Sequence, residues 1–334
     1  MIVTESGGQR VGLHDGKVMD VVPGIMGRQS PEAVLSQKLR AVVLLAGSVR
    51  QGRLGFQIGR PVFDLPLDQG QTILNYWRHE TQGLASAVRH ANLPVRILID
   101  RTAPEPPPGS YGPATGAAPV EVERDPLDFR GTGGVLRDLA ARFADDDLLL
   151  VANAAQVLME GLADLTLEMV ATRGDVAIIS HADGTPSGLL LVRCGALREL
   201  PQTGFIDMKE QALPMIAANH QVAVLERKHP SALPVLTLAD YITAVRRHHQ
   251  RRAGKTHIAG PFAEDWESEF SIVEDGADVH SRARLHDSVV LRGGRVEIDA
   301  VLAHSVVCPG GVLRRGQMAV DALVTAGGNG RQRD

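Results

Sequence analysis

The groups best suited to chemistry in this chain lie where glycine meets arginine. An apolar run, Ala41-Val42-Val43-Leu44-Leu45, empties into Ala46-Gly47-Ser48-Val49-Arg50-Gln51-Gly52-Arg53-Leu54. Such a loop presents several backbone N–H groups beside two guanidinium forks, an arrangement that can hold a phosphate. A buried strand before it would put that phosphate at the carboxyl edge of a parallel sheet, where nucleotides and sugar phosphates bind in folds of that kind. The same glycines also suit a plain strand-to-helix turn, so the loop alone decides nothing. A second glycine turn, Gly131-Thr132-Gly133-Gly134, opens a helical pattern. Carboxylates stand at Asp145, Asp146, Asp147, Asp164, Asp183, Asp207 and Glu210. All of them suit turns and helix starts, where a side-chain oxygen accepts from nearby backbone N–H groups.

The elements that would position these groups alternate along the chain. Strands are expected at 41–46, 95–100, 120–123, 148–153, 176–180, 188–192 and 221–225, and helices at 72–90, 131–143, 160–173, 207–218 and 239–252. Repeated strand–helix units imply an α/β fold with a doubly wound, mostly parallel, Rossmann-like sheet covered on both faces. Residues 102–119 form a loop dense in proline and glycine, too long to be a mere connection. Residues 1–38 read as an N-terminal appendage ending in a helix that Ser30 caps and Pro31 opens. The last helix closes on Arg246-Arg247-His248-His249-Gln250-Arg251-Arg252, a cluster that complements the helix dipole and is expected to be solvated, both histidines included.

Composition narrows the partners. The 334 residues are 44% hydrophobic and 22% charged, with a formal net charge of −4, so no global basic field draws the chain to nucleic acid or an anionic membrane. Aromatics at 4% leave little with which to stack bases. The two cysteines, Cys194 and Cys308, lack metal-ligand spacing and argue against a disulfide framework, which fits a reducing cytoplasm. Neither an export signal nor a run of about 18 apolar residues is visible, so a cytoplasmic location is expected.

The character changes after residue 252. A linker over 253–270 precedes a repeat over 271–325, with a tail at 326–334. Val273, Val279, Leu285 and Leu291 lie six apart, as do Val306, Val312, Met318 and Val324. One inward aliphatic every six residues is what a triangular parallel β-helix requires, since each face of a coil buries one such side chain against the next coil. Ser288-Val289-Val290 returns as Ser305-Val306-Val307, seventeen residues on, which points to a one-residue slip near Gly293-Gly294 and to fewer than three coils. The main α/β domain is accordingly placed at 39–252.

Taken in order, these motifs resemble the sugar-1-phosphate nucleotidylyltransferases, which join a nucleotide-binding α/β domain to a C-terminal left-handed β-helix. The stretch from Leu45 to Leu54 looks like that family's glycine-rich signature, which implies that Ala46, Gly47, Ser48, Gly52 and Arg53 hold a nucleotide triphosphate. Gly131, Thr132 and Gly133 match the turn that lines the nucleobase pocket, and Asn153, Gly188 and Asp207 fall in segments on the substrate side. Arg60 stands between Gly59 and Pro61 where the family has a lysine. In such enzymes a sugar phosphate attacks the α-phosphorus of a nucleoside triphosphate and pyrophosphate leaves, with Mg²⁺ and cationic side chains neutralising charge.

The resemblance breaks at the chemical positions. The expected metal aspartates are missing: one position reads Asn153-Ala154-Ala155, and the other region reads Leu233-Pro234-Val235-Leu236-Thr237-Leu238. Arg60 is no silent substitute for lysine. The family's Glu-Lys-Pro is replaced by His181-Ala182-Asp183-Gly184-Thr185-Pro186. No metal ligand is assigned, Arg53 and Arg60 are the only catalytic candidates, and Mg²⁺ is implied only if the chain is active. Three readings stay open. One is a catalytically degenerate homologue that binds nucleotide or sugar phosphate in a regulatory or assembly role, as a homo-oligomer or beside an active paralogue. Another is an active enzyme with a rearranged metal site using Asp145, Asp146, Asp147, Asp164 or Asp183. The third is a non-catalytic β-helix scaffold.

Overall fold

A computed structural model describes residues 29–46, 53–99, 112, 116–125, 130–252 and 270–331. Helix α1 (Pro31–Lys38) starts with proline in its first turn and the Ser30 hydroxyl accepting from the Ala33 N–H at 3.3 Å, then passes directly into β1 (Leu39–Leu45). There follow α2 (Arg53–Ile58), the short pair β2 (Pro66–Asp68) and β3 (Gln71–Thr72), α3 (Ile73–Ala87), β4 (Val95–Ile99) and β5 (Val120–Arg124). Next come α4 (Gly131–Ala140), β6 (Leu148–Asn153), β7 (Gln156–Leu158), α5 (Leu162–Ala171), β8 (Val176–His181) and β9 (Pro186–Arg193). The series closes with α6 (Cys194–Arg198), a π-helical turn at Met208–Ala212, α7 (Leu213–Ala217), β10 (Val222–Arg227), β11 (Ala232–Pro234) and α8 (Leu238–Arg252). The chain divides into two compact units: Met1–Val49, Glu80–Ala152 and Gly161–Pro230 form the first, and Arg50–His79, Asn153–Glu160 and Ser231–Asp334 the second.

The first unit is built on a seven-stranded sheet of order β10-β8-β9-β6-β1-β4-β5. β1 pairs with β4, β4 with β5 and β10 with β8 in parallel. β9 runs antiparallel to both β6 and β8. The sheet is thus parallel-dominated, and the physical reason for the exception is local. Only Ala182–Thr185, with Gly184 at φ +82°, joins β8 to β9, and a turn that tight can only return the chain antiparallel. Central strands are buried on both faces, as Leu148–Ala152 illustrates, whereas the outer strands β5 and β10 carry charged side chains that protect a sheet edge. Val43, Leu149, Val151, Val192, Leu136 and Leu197 are among the residues that meet in the core between sheet and helices.

In the second unit β7 and β11 form a small antiparallel pair, Leu158 facing Ala232. Three side chains close around it: the Trp77 indole N–H donates to the Gln156 carbonyl, and the Tyr76 hydroxyl and an Arg251 N–H both donate to the Leu158 carbonyl, each at 3.1 Å. The basic end of α8 is therefore not simply solvated. Arg246 pairs with Asp287, Arg252 with Asp68, and the His249 ring stacks on Phe270 at 5.5 Å between centroids. His248, expected at the surface, is buried and sits edge-on to Tyr76, because α8 turns that face inward along with Tyr241 and Val245.

The C-terminal repeat forms stacked parallel sheets of very short strands, compatible with a β-helix. Its strands are β12 (Ser271–Val273), β13 (Asp278–Val279), β14 (Arg284–His286), β15 (Ser288–Val290), β16 (Arg295–Val296), β17 (Val301–Ala303), β18 (Val306–Val307), β19 (Val312–Leu313), β20 (Met318–Val320), β21 (Ala322–Thr325) and β22 (Gly328–Arg331). Ile272 pairs with Val289, Val289 with Val306 and Val306 with Leu323, so three coils close, more than the repeat suggested. Every register step is 17 residues, since Asp278 meets Arg295 and Arg284 meets Val301 as well. The slip is therefore systematic. Inward side chains follow steps of six, six and five, as in Val279, Leu285, Val290, Val296, Leu302, Val307, Leu313, Ala319 and Val324. Val312 and Met318, inward in a strict six-residue frame, are 40% and 65% exposed, and Leu313 and Ala319 take their places. Corners recur in phase: Gly276, Gly293 and Gly310 have φ of +87°, +79° and +75°, and Asp287, His304 and Asp321 have +42°, +47° and +50°. Among the described residues no helix is long and apolar enough to cross a membrane.

Candidate functional site

In the α/β unit, the glycine–arginine loop leaves the carboxyl end of β1. Ala46, half-buried there, donates its N–H to the Leu98 carbonyl at 2.9 Å, which continues the β1–β4 ladder one residue past the strand. Gly47, Ser48 and Gly52 lie outside the described residues. The second glycine turn is described in full. Gly131 has φ +69°, and a Cβ there would come within 2.4 Å of the Ile206 carbonyl oxygen, so the close approach requires glycine. Gly133 donates its N–H to that same oxygen at 2.9 Å, and the Thr132 hydroxyl accepts from the Met208 N–H at 3.0 Å. Arg130, buried before the turn, grips Asp138 with two bonds of 2.9 Å and reaches the Gly204 carbonyl at 3.1 Å. Thus 131–133 and the segment around Asp207 are brought together by polar contacts the sequence did not disclose. Asp207 itself caps the π-helical turn, accepting from Lys209 and Glu210 N–H groups at 2.8 and 2.9 Å. Gly188 is exposed on β9 with φ +82°, next to Leu189, which faces Ala152 of β6.

In the other unit, Arg53 is the exposed first residue of α2. Arg60 is engaged: one guanidinium nitrogen bridges both Glu274 oxygens at 2.9 and 2.7 Å, and another donates to the Asp64 carbonyl. Glu274 also accepts from the Arg292 N–H at 2.8 Å, so Arg60 is bound into the first coil. Asn153 ends β6 and is exposed, with its amide oxygen accepting from the Ala155 N–H at 2.9 Å. An amide in that place carries no charge to attract Mg²⁺.

Of the five alternative aspartates, four are engaged by neighbours. Asp145, Asp146 and Asp147 precede β6, at the end opposite Asn153, which at about 3.3 Å per residue separates them from the carboxyl edge by about 20 Å. Asp146 pairs with Lys38, which lowers its carboxyl below the usual range, and Asp145 pairs with Arg198. Buried Asp147 binds Arg40 at 2.8 Å and the Ala144 N–H at 2.9 Å. Asp164 lies in the first turn of α5, and Asp183 accepts from the Thr185 N–H at 2.8 Å, which holds its carboxyl low. A cleft of about 460 Å³ at this amino edge is lined by the Arg193–Asp175 ion pair at 3.1 Å and by His220, which lies 3.0 Å from Glu199.

One constellation escaped the sequence reading. On the β-helix, His286, Asp287 and His304 each place a ligating atom within 4.8 Å of the others. The 17-residue period was its signal, because it stacks position 304 on position 287.

No family model matches the chain, and no curated protein matches it. Among solved structures, HddC from Yersinia pseudotuberculosis aligns with 63% of this chain and 99% of its own at 15% identity and a TM-score of 0.44. A structure of HddC complexed with GMP-PN gives 16% identity and a TM-score of 0.45 over the same shares. Rv0371c from Mycobacterium tuberculosis H37Rv aligns with 62% of this chain and 97% of its own at 20% identity and a TM-score of 0.42. Likeness at this level carries no inference about what this chain binds.

Proposed function

We propose that this chain is a catalytically degenerate homologue of the sugar-phosphate nucleotidylyltransferases, with a left-handed β-helix, that binds a nucleotide or sugar phosphate in a regulatory or assembly role. The observation that carries this reading is Asn153. A neutral, internally hydrogen-bonded amide ends β6 where the family resemblance calls for a metal carboxylate, and Asp145, Asp146 and Asp147 lie at the strand's far end. Loss of the metal ligand removes the charge neutralisation that phosphoryl transfer needs, while a glycine-rich phosphate loop needs no carboxylate. One further observation agrees with it: Arg60, the lysine's replacement, is engaged by both oxygens of Glu274.

The test has two arms. Purified protein with each nucleoside triphosphate, Mg²⁺ and a panel of hexose 1-phosphates should release no pyrophosphate above background. Turnover that disappears in Arg53→Ala would overturn the degenerate reading in favour of an active enzyme. In the second arm, nucleotides or sugar phosphates at a hundredfold excess over Kd should raise Tm by the equivalent of about 2.7 kcal/mol. No shift with any of them would leave the scaffold reading.

A further inference from the structure

We propose that His286, Asp287 and His304 form a binding site for a divalent first-row transition-metal ion of the Zn²⁺ class, on a corner of the β-helix. His286 ends β14 and Asp287 is the corner residue that follows it; His304 is the corner residue one coil later, and its N–H donates to the His286 carbonyl at 3.0 Å. The left-handed backbone at 287 and 304 turns both side chains out of the ladder to the same side, a conformation that aspartate and histidine tolerate better than most residues. The two imidazole rings lie 5.3 Å apart between centroids. Each presents its Nε2 to one atom, Asp287 Oδ2, at 3.9 Å from His286 and 4.0 Å from His304. Two ligands of one tetrahedral zinc with bonds of about 2.0–2.2 Å stand about 3.3 Å apart, so with all three ligating atoms within 4.8 Å of one another, closing the site needs a shift of less than about 1 Å from each side chain. Imidazole nitrogen with one carboxylate is a donor set for zinc, cobalt or nickel rather than for magnesium or calcium.

The carboxylate is held ready. Asp287 is buried, and its Oδ1 accepts from the Phe270 N–H at 3.0 Å, while Arg246 donates to Oδ2 through Nε at 2.8 Å and through a second nitrogen. A carboxylate offers about four lone-pair positions, two on each oxygen; Arg246 takes both on Oδ2, so an ion bound there displaces one of the Arg246 bonds. Arg246 orients the ligand as an outer partner, but its positive charge opposes a cation and limits affinity. His304 has an outer partner of its own, Asp321, whose Oδ1 lies 3.5 Å from Nδ1 and favours presentation of Nε2 to the metal. His286 and His304 are each a little over one-third exposed, so the ion enters from solvent and keeps a water in its remaining position.

The experiment uses the full chain, treated with chelator and titrated with Co²⁺, whose visible bands report tetrahedral nitrogen and oxygen ligation. One equivalent should bind saturably and be displaced by Zn²⁺. His286→Ala and His304→Ala should each weaken binding at least tenfold, and His280→Ala, outside the cluster, should not. Arg246→Gln keeps a donor to Asp287 and removes the charge, so it should tighten binding on the order of tenfold; a gain cannot arise from misfolding. Absence of saturable binding, or binding that survives both histidine substitutions, overturns the proposal, as does weakening in Arg246→Gln.

Discussion

His248 shows how far burial can change a residue's chemistry. Its imidazole is pushed down to about 4, first by burial and then by the charges of His249 and Arg251. Its Nε2 finds no hydrogen-bond partner among the described residues. The folded protein keeps this ring neutral, whereas the unfolded chain protonates it near the ordinary value of about 6.5. Below that pH the unfolded state binds the extra proton, so the contribution is complete above pH 6.5 and is lost progressively as pH falls towards 4. Between pH 7 and pH 4.5 the loss should be about 2 kcal/mol. Denaturation midpoints of wild type and His248→Phe across that range check it: the acid slope should flatten in the variant, and identical slopes would exclude His248 as its source. The neighbouring arginines did announce a depressed histidine. They did not announce that the main cause is burial.

At the scale of elements, the β-helix separates two frames for the same side chains. A strict six-residue period makes Val312 a core residue, and the 17-residue coil makes it a surface one with Leu313 inside. Leu313→Ala should therefore destabilise by about 2–5 kcal/mol, the usual effect of emptying a packed core position. Val312→Ala should stay within about 0.5 kcal/mol, as a surface change does. Urea denaturation of the two variants decides the frame, and a reversed order would restore the six-residue reading. The coil is kept in phase by polar as well as apolar rungs. Buried Ser288 accepts from the Ser305 N–H at 3.2 Å, and Ser305 accepts from the Ala322 N–H at 3.0 Å. The repeat of Ser288-Val289-Val290 was legible because it is contiguous, while the five-residue step was hidden because exposed valine and buried leucine sit side by side. Helix α2 and the β7–β11 pair were missed for a related reason: they are too short to show a period.

At the scale of the whole molecule, the two thiols report on the two units separately. Cys194 is buried in the α/β core, where burial and then the charge of Asp147 push its thiol up to about 12. Cys308 is buried in the β-helix, where burial pushes its thiol up to about 11. Since the thiolate is the reactive form, neither should label with a thiol reagent at pH 8 in the native protein. Each should label as its own unit opens in denaturant, which mass spectrometry of the labelled peptides resolves; rapid native labelling of either would contradict the burial described here.

The strand–helix alternation, the glycine turn at Gly131–Gly134 and the C-terminal repeat were readable from local pattern, because burial on two faces, tight turns and stacked coils each impose a short-range period on residue type. The absence of a carboxylate at Asn153 was equally plain, being a matter of identity rather than placement. Placement needed the folded chain. The direction of β9 depended on a four-residue turn, and the engagement of Arg60 depended on Glu274, more than two hundred residues away. The union of His286, Asp287 and His304 depended on a coil length that only strand register reveals. Contacts between residues far apart in sequence leave no period to read, and Arg60, Asp287 and His304 are held by such contacts.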